Sequence, residues 1–165
     1  MPLADPVAFL RLRPEHAEAV VGMFGTIAAD PGARHFHPHP FDEASARRVC
    51  SGSGRDLYFG LWAKGAPAGY GMLRGWDEGF EVPSLGIWVS SPLRGTGAAR
   101  AFMAYLHLAA RLSDASRVRL KVHPDNASAL ALYRSMGYRF SDQLEPDGQM
   151  LGILELLPGR RTSTP

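Results

Sequence analysis

Three groups of residues in this 165-residue chain have types and spacings that could do chemistry. The first is the run SPLRGTGAAR, in which Gly95 and Gly97 let the backbone turn its amides towards one point just before a helix begins. A helix N-terminus adds unpaired N–H groups, so Gly95, Thr96, Gly97, Ala98 and Ala99 could hold an anion such as a pyrophosphate, with the Arg94 guanidinium adding charge. The same residues could equally be a plain strand-to-helix connection, for the run is neither a Walker loop nor the dinucleotide GxGxxG pattern. The second group is HFHPHPF, which holds His35, His37 and His39, half of the six histidines. Alternate histidines on a strand face one way and can ligate zinc. Pro38 and Pro40 remove ladder donors, and along a polyproline-like path positions two apart no longer align, so no metal site is expected. The loop is then either structural or a wall, with Phe36, against a bound polar molecule. The third group is the carboxylates of WDEGFE, namely Asp77, Glu78 and Glu81, which could receive a proton or merely solvate a turn.

Such groups act only if strands and helices present them. AFLRLR alternates as a strand does, and Pro14 followed by EHAEAVVGMFGTIAA sets apolar side chains at helical spacing. Residues 30–41 carry Pro31, Gly32, Pro38 and Pro40 and read as a loop, and DEASARRVC reads as a short helix capped by Asp42. DLYFGLWAK and AGYGMLRGW read as two strands turning at Gly65-Ala66-Pro67, with SLGIWVS as a third. AARAFMAYLHLAARL is an amphipathic helix whose expected buried face is Ala98, Phe102, Tyr105, Ala109 and Leu112. RVRLKVH is a strand, NASALALYRSMG a capped helix, and YRFSDQL, EPDG and QMLGILELL a strand, a turn and a strand. One domain over 1–157 is expected, with 158–165 a flexible tail. Antiparallel strands leading into a βα unit predict an α/β (α+β) domain, its ligand crevice at the junction after Val89.

Composition narrows the functional classes. With 45% apolar and 21% charged residues the chain has the profile of a soluble globular protein. A net charge of +2, with scattered arginines, lacks the footprint of a nucleic-acid binder, so no nucleic acid is expected as partner. Cys50 is the single cysteine, which excludes an internal disulfide and a cysteine zinc cluster. MPLADPVAFLRLRPEH has proline and acid where a signal peptide would have a basic start and an apolar core, and no run of 18 apolar residues occurs. A cytoplasmic protein without membrane partners is the expectation.

IWVSSPLRGTGAARAF, followed one helix and one strand later by VHPDNASALALYRSMGYRF, resembles the GCN5-related N-acetyltransferase (GNAT) family, and the likeness extends over most of the chain. Arg94, Gly97 and Ala99 fill that family's pyrophosphate pattern, and Asn126, Tyr133, Gly137 and Tyr138 its second signature. The resemblance implies a mixed, mostly antiparallel sheet of about seven strands flanked by about four helices, splayed between the fourth and fifth strands. It implies acetyl-CoA as cosubstrate, with the pantetheine arm bonded to the strand end Ile87, Trp88 and Val89, and Asn126 in contact with it. Tyr133 stands where the family has the acid that protonates the leaving thiolate. In this family the loop after the first helix walls the acceptor cleft, which puts His35, Phe36, His37 and His39 towards the acceptor.

An alkylamine of pKa near 10.4 is only about 0.1% neutral at pH 7.4, a deprotonation cost of about 4 kcal/mol. Something should receive that proton, and Glu81 is the expected base. Many relatives that acetylate protein termini carry a glutamate five positions before the asparagine; here that position is Lys121. The expected activity is therefore N-acetylation of a primary amine of a small molecule, an amino sugar or nucleotide-linked amino sugar being the preferred class. The alternatives are a protein Lys or N-terminal acetyltransferase and a non-catalytic acyl-CoA-binding module. Dimers are common in the family, and the C-terminal strands could pair between subunits of a homodimer.

Overall fold

A computed structural model describes residues 7–156, so the expected tail at 158–165 lies outside the described residues. In chain order the elements are β1 (Ala8–Arg11), α1 (Ala17–Ala29), α2 (Glu43–Cys50), β2 (Leu57–Ala63), β3 (Ala66–Arg74) and β4 (Ser84–Val89). There follow α3 (Ala98–Leu112), β5 (Arg117–Val122), α4 (Ala127–Ser135), β6 (Arg139–Leu144) and β7 (Met150–Glu155). The strands make one seven-stranded sheet in the order β1-β2-β3-β4-β5-β7-β6, in agreement with the predicted mixed α/β architecture of seven strands and four helices.

Every neighbouring pair is antiparallel except β4 and β5. That pair is parallel and registers at one point alone, Ser84 opposite Arg119, with the Arg119 amide donating to the Pro83 carbonyl at 3.0 Å. From there the strands diverge towards Val89 and Val122, opening a wedge in the sheet. Backbone groups along such a wedge need partners, and a ligand can supply them.

Alternation along the strands divides the core in two. Val20, Phe24 and Ile27 of α1, at helical spacing, meet Tyr70 and Met72 of β3 and Trp88 of β4 on one face. On the other face Phe102, Met103 and Leu106 of α3 meet Leu73, Leu85 and Leu120. Each fully buried aromatic or aliphatic side chain of this kind contributes about 1.5–3 kcal/mol through apolar burial. Gly71 sets how closely α3 lies on β3: a Cβ there would fall 2.7 Å from Phe102 Cζ and 3.0 Å from Leu106 Cδ1.

Two sequence expectations are corrected. The buried stripe of α3 is Phe102, Met103, Leu106 and Ala110, while Leu112 is 78% exposed. The helix is so rich in Ala and Leu that apolar positions nearly encircle it, and spacing alone does not fix which stripe is inward. The hairpin between β2 and β3 turns on Lys64 and Gly65, both at positive φ (52° and 76°), as a two-residue primed turn requires. Pro67 instead lies in β3 opposite Trp62, where the register shifts and a strand proline is tolerated. Cys50 is buried and free, its thiol pushed up to about 11 by desolvation.

Candidate active site

The wedge opens into a cleft of about 700 Å³. Its β4 wall is Ile87, Trp88 and Val89, and its floor at the start of α3 includes Arg94, Gly95, Gly97 and Ala99. Gly95 and Gly97 have φ of 75° and 89°, left-handed values that glycine reaches without strain. Gly97 is the N-cap of α3 and supplies no side-chain bond, so the amides of Gly95, Gly97, Ala99 and Arg100 lack acceptors among the described residues. Free amides at the positive end of a helix fit a pyrophosphate. Thr96 and Ala98 do not line the cleft: the Thr96 hydroxyl donates to the Leu93 carbonyl at 2.5 Å and accepts from the Ala98 amide at 3.3 Å, holding the loop in shape.

The opposite wall comes from α4 and the residues before it. Asn126 caps α4, its Oδ1 accepting from the Ala129 amide at 3.3 Å, and it also lines the cleft. Tyr133, two helical turns on, reaches the same space beside Leu132 and Ala129. Desolvation pushes its phenol up to about 12, so the group stays protonated at any physiological pH. Glycine loop, β4 end, Asn126 and Tyr133 thus share one cleft although they are far apart in sequence.

The residues after α1 bridge the wedge from side to side. At one end the Asp30 carboxylate accepts from the Trp88 indole at 2.7 Å and the Gly32 amide at 2.8 Å, and it pairs with the Arg94 guanidinium. The Arg94 contact above all, opposed by desolvation and helped by Trp88 and Gly32, holds the Asp30 carboxyl below the usual carboxylate range. Arg94 also donates from Nε to the Val89 carbonyl at 3.2 Å, so its charge is directed to this clamp. At the other end His35 stacks on His123 with ring centres 4.0 Å apart, and both approach Asp125, at 3.4 and 3.5 Å. Asp30 and Asp125 thereby moor the loop to the β4 side and the β5 side of the cleft. Neither contact was legible beforehand, because Asp30 and Arg94 are 64 positions apart and nothing local marks either as a partner.

The three histidines of HFHPHPF separate. His35 lines the large cleft, together with Phe36. His37 lines only a smaller neighbouring cleft, and its Nε2 donates to the Arg34 carbonyl at 2.6 Å. His39 lines neither: its Nδ1 donates to the Pro40 carbonyl at 2.7 Å and its Nε2 accepts from the Tyr70 hydroxyl at 2.8 Å, among Phe24 and Phe41. Burial lowers the His39 pKa and favours the neutral ring, so the structure makes it a half-buried residue packed on the α1 core where the sequence pointed to the acceptor. His35, His123 and Asp125 do bring ligand atoms within 4.8 Å of one another. Arg34, however, donates to His35 Nε2 at 3.1 Å and to Asp125 at 3.4 Å, and two stacked imidazoles do not converge their lone pairs on one ion.

The smaller cleft, about 310 Å³, lies on the α1 face of the sheet and shares His35, Phe36, Lys121 and Gln149 with the larger. Arg74, Glu78, Phe80 and Arg119 are among its other walls. Of the WDEGFE carboxylates, Glu78 reaches this cleft, Asp77 is occupied by the amides of Arg55 and Asp56 at 2.7 and 3.2 Å, and Glu81 is exposed and lines neither cleft. Lys121 is held by Asp147 at 3.0 Å and Glu145 at 3.7 Å. Sequence reasoning passed over Arg74 and Arg119; the alternation in RVRLKVH was the available sign, since it turns Arg117, Arg119, Lys121 and His123 away from α3 together.

Residues 26–138 match the model of the acetyltransferase (GNAT) family. Among curated proteins none matches the chain significantly. Solved structures share the fold at low identity. An N-acetyltransferase from Staphylococcus aureus Mu50 superposes with a TM-score of 0.73 at 16% identity, covering 93% of this chain and 100% of that one. The protein yncA from Salmonella typhimurium, solved with its cofactor acetyl-CoA, gives 0.72 at 15%, covering 93% and 96%. A ribosomal-protein-alanine N-acetyltransferase from Brucella melitensis gives 0.73 at 17%, covering 90% and 99%. A wedge between β4 and β5, floored by free glycine-loop amides and matched by the family's own pattern, makes this chain a member of the GNAT acetyltransferases, an acyltransferase that draws on acetyl-CoA.

Proposed function

We propose that the protein acetylates a primary amine of a small molecule, an amino sugar or a nucleotide-linked amino sugar being the preferred class. The observation that carries this reading is the junction of the two clefts. The donor cleft opens at His35, Phe36, Lys121 and Gln149 into a second pocket of about 310 Å³, a volume suited to a small molecule. Arg119 in that pocket, with no carboxylate paired to it among the described residues, disfavours a basic peptide or a lysine side chain.

Acetyl-CoA, when bound, supplies an acyl carbon activated as a thioester. The chain supplies position and polarity. In this reading the amides of Gly95, Gly97, Ala99 and Arg100 would hold the pyrophosphate, and the free edge of β4 at Ile87–Val89 would bond the pantetheine arm, with Asn126 beside it. Tyr133, which lines the same cleft, would meet the leaving sulfur in this reading. A phenol near 12 facing a thiol near 8.5 would give up its proton at a cost of about 5 kcal/mol, so Tyr133 acts chiefly as a hydrogen-bond donor that stabilises developing thiolate charge. The ammonium proton has to leave through a carboxylate or solvent. Glu78 lines the acceptor cleft and takes the role in this reading, ahead of the expected Glu81, which is exposed outside it.

The test follows free-thiol release while the protein is incubated with acetyl-CoA and a panel of amines: amino sugars, nucleotide-linked amino sugars, amino acids, and peptides ending in Ala or Ser or containing Lys. Small amines are expected to release thiol well above the hydrolysis background. Turnover of peptides alone would replace this reading with a protein acetyltransferase, and tight CoA binding without release on any acceptor would leave a binding module.

A further inference from the structure

We propose that the acceptor carries an anionic group, a carboxylate or a phosphate, and that Arg119 on β5 is the residue that reads it. The proposal rests on the acetyl-transfer reading above and deepens it by naming a chemical feature of the substrate. Its starting point is the state of the cations that line the smaller cleft. Lys121 is neutralised by Asp147 and Glu145. Arg74 is half occupied: one terminal nitrogen donates to the Pro38 carbonyl at 2.5 Å, another stands 4.0 Å from Glu78, and its buried Nε has no acceptor among the described residues.

Arg119 differs from both. Its Nε donates to the Ser84 hydroxyl at 2.8 Å, and its guanidinium lies over the Phe80 ring, 5.1 Å from the centroid. No carboxylate lies within 4 Å of it among the described residues, and its two terminal nitrogens have no acceptor there. The bond to Ser84 holds the guanidinium over the Phe80 ring without consuming its outer N–H groups. Such a preorganised fork is matched by a planar carboxylate or by two phosphate oxygens. Ser84 is also the one position at which β4 and β5 pair, so Arg119 is held at the apex of the wedge.

The surroundings agree in charge and shape. Glu78 is the only carboxylate among the described residues that line this cleft, and it sits beside Arg74. His35 and His37 are the other titratable groups that face it. Phe36, Phe80 and Met72 give apolar walls, and Gln149 lies where the two clefts meet. An acceptor anchored by its anion at Arg119 has its amine free to point along the shared boundary towards the thioester side. A neutral amine has nothing to neutralise this cation and loses that anchor.

The test uses matched pairs that differ only in the anion: β-alanine against propylamine for a carboxylate, and O-phosphoethanolamine against ethanolamine and glucosamine 6-phosphate against glucosamine for a phosphate. In at least one pair the anionic member is expected to show a kcat/KM about 30-fold higher, the range of a charge-assisted hydrogen bond. Arg119→Gln should bring that ratio close to 1, and Arg119→Lys should recover part of it, because a single ammonium keeps the charge and loses the fork. Reading a ratio cancels general damage to the fold. The carboxylate and phosphate arms identify which anion is meant. Calorimetric binding of the same probes to the CoA-loaded protein needs no turnover. Arg119-dependent binding without transfer would uphold the anion site while the transfer reading falls. Transfer with ratios near 1 in every pair, or no binding of any anionic probe at millimolar concentration, overturns the proposal.

Discussion

Replacing Asp30 by Ala tests whether the loop after α1 is moored to the cleft as the geometry indicates. The substitution removes three acceptor contacts at once: to the Trp88 indole, the Gly32 amide and the Arg94 guanidinium. Trp88 is 5% exposed, so its orphaned N–H costs about 1–3 kcal/mol. The Arg94 side chain is 40% exposed and water can replace its partner, which limits the pair to about 0.5–1 kcal/mol. Gly32 is exposed and adds a few tenths at most. The sum is about 3 kcal/mol, and at about 2–4 °C per kcal/mol for a chain of this size Tm should fall by about 6–12 °C. The Asp30 pKa is held below 3.8, chiefly by Arg94, so the contribution is fully present above that value and lost as pH falls through the depressed one. The Tm difference between Asp30→Ala and the parent should thus be the same at pH 5 and pH 7. In a Trp88→Phe background the loss should shrink by about 1–2 kcal/mol, since the donor is already gone. Calorimetric scans of the four proteins read all of this; a Tm drop under 3 °C, or strictly additive effects, would refute the clamp.

Further expectations concern other parts of the structure. Tyr133→Phe should lower kcat about 10- to 100-fold while the KM for acetyl-CoA changes less than threefold, in steady-state thiol-release kinetics; equal losses in both would remove its part in the chemical step. His107, whose Nε2 shares a hydrogen bond with the Tyr138 hydroxyl at 2.8 Å, is driven down to about 4 by desolvation, so the folded state resists its protonation. Stability should be full above about pH 6.5 and decline by up to about 3 kcal/mol as pH falls towards 4, and His107→Gln should flatten that slope in urea titrations. Gly71→Ala drives a methyl into Phe102 and Leu106 and should cost about 1–3 kcal/mol by chemical denaturation, whereas Ala at Gly22, inside α1 where a Cβ meets nothing within 4 Å, should gain about 0.5–1 kcal/mol.

Local chemistry made one side of the large cleft readable. A glycine pair before a helix, an asparagine that caps the next helix and a tyrosine two turns beyond it all announce themselves within a few residues of sequence. The structure gathers them with Ile87–Val89 into one cleft. The fold was legible for the same reason, since alternation and helical spacing are short-range signals. Where those signals saturate, as in the Ala- and Leu-rich α3, the reading found Phe102 and the flank of the buried stripe but missed Met103, Leu106 and Ala110 and took the exposed Leu112 as inward.

The smaller cleft and its rim are written in contacts that span the chain, and there the histidines show what local pattern cannot supply. HFHPHPF places three imidazoles at even spacing, yet the path sends one against the edge of the α1 core, one to its own loop and one to the cleft. What decides each fate is a partner far away: Tyr70 for His39, and His123 with Asp125 for His35. Arg119 obeys the same logic in reverse. Its neighbours in sequence mark it as one more charged strand residue, and only the missing carboxylate, the Phe80 ring beneath it and the Ser84 hydroxyl beside it make it distinctive. Ordinary surface arginines lose side-chain entropy when they bind; one already hydrogen-bonded at the apex of a wedge loses less, and that difference suits it to the proposed reading of substrate charge.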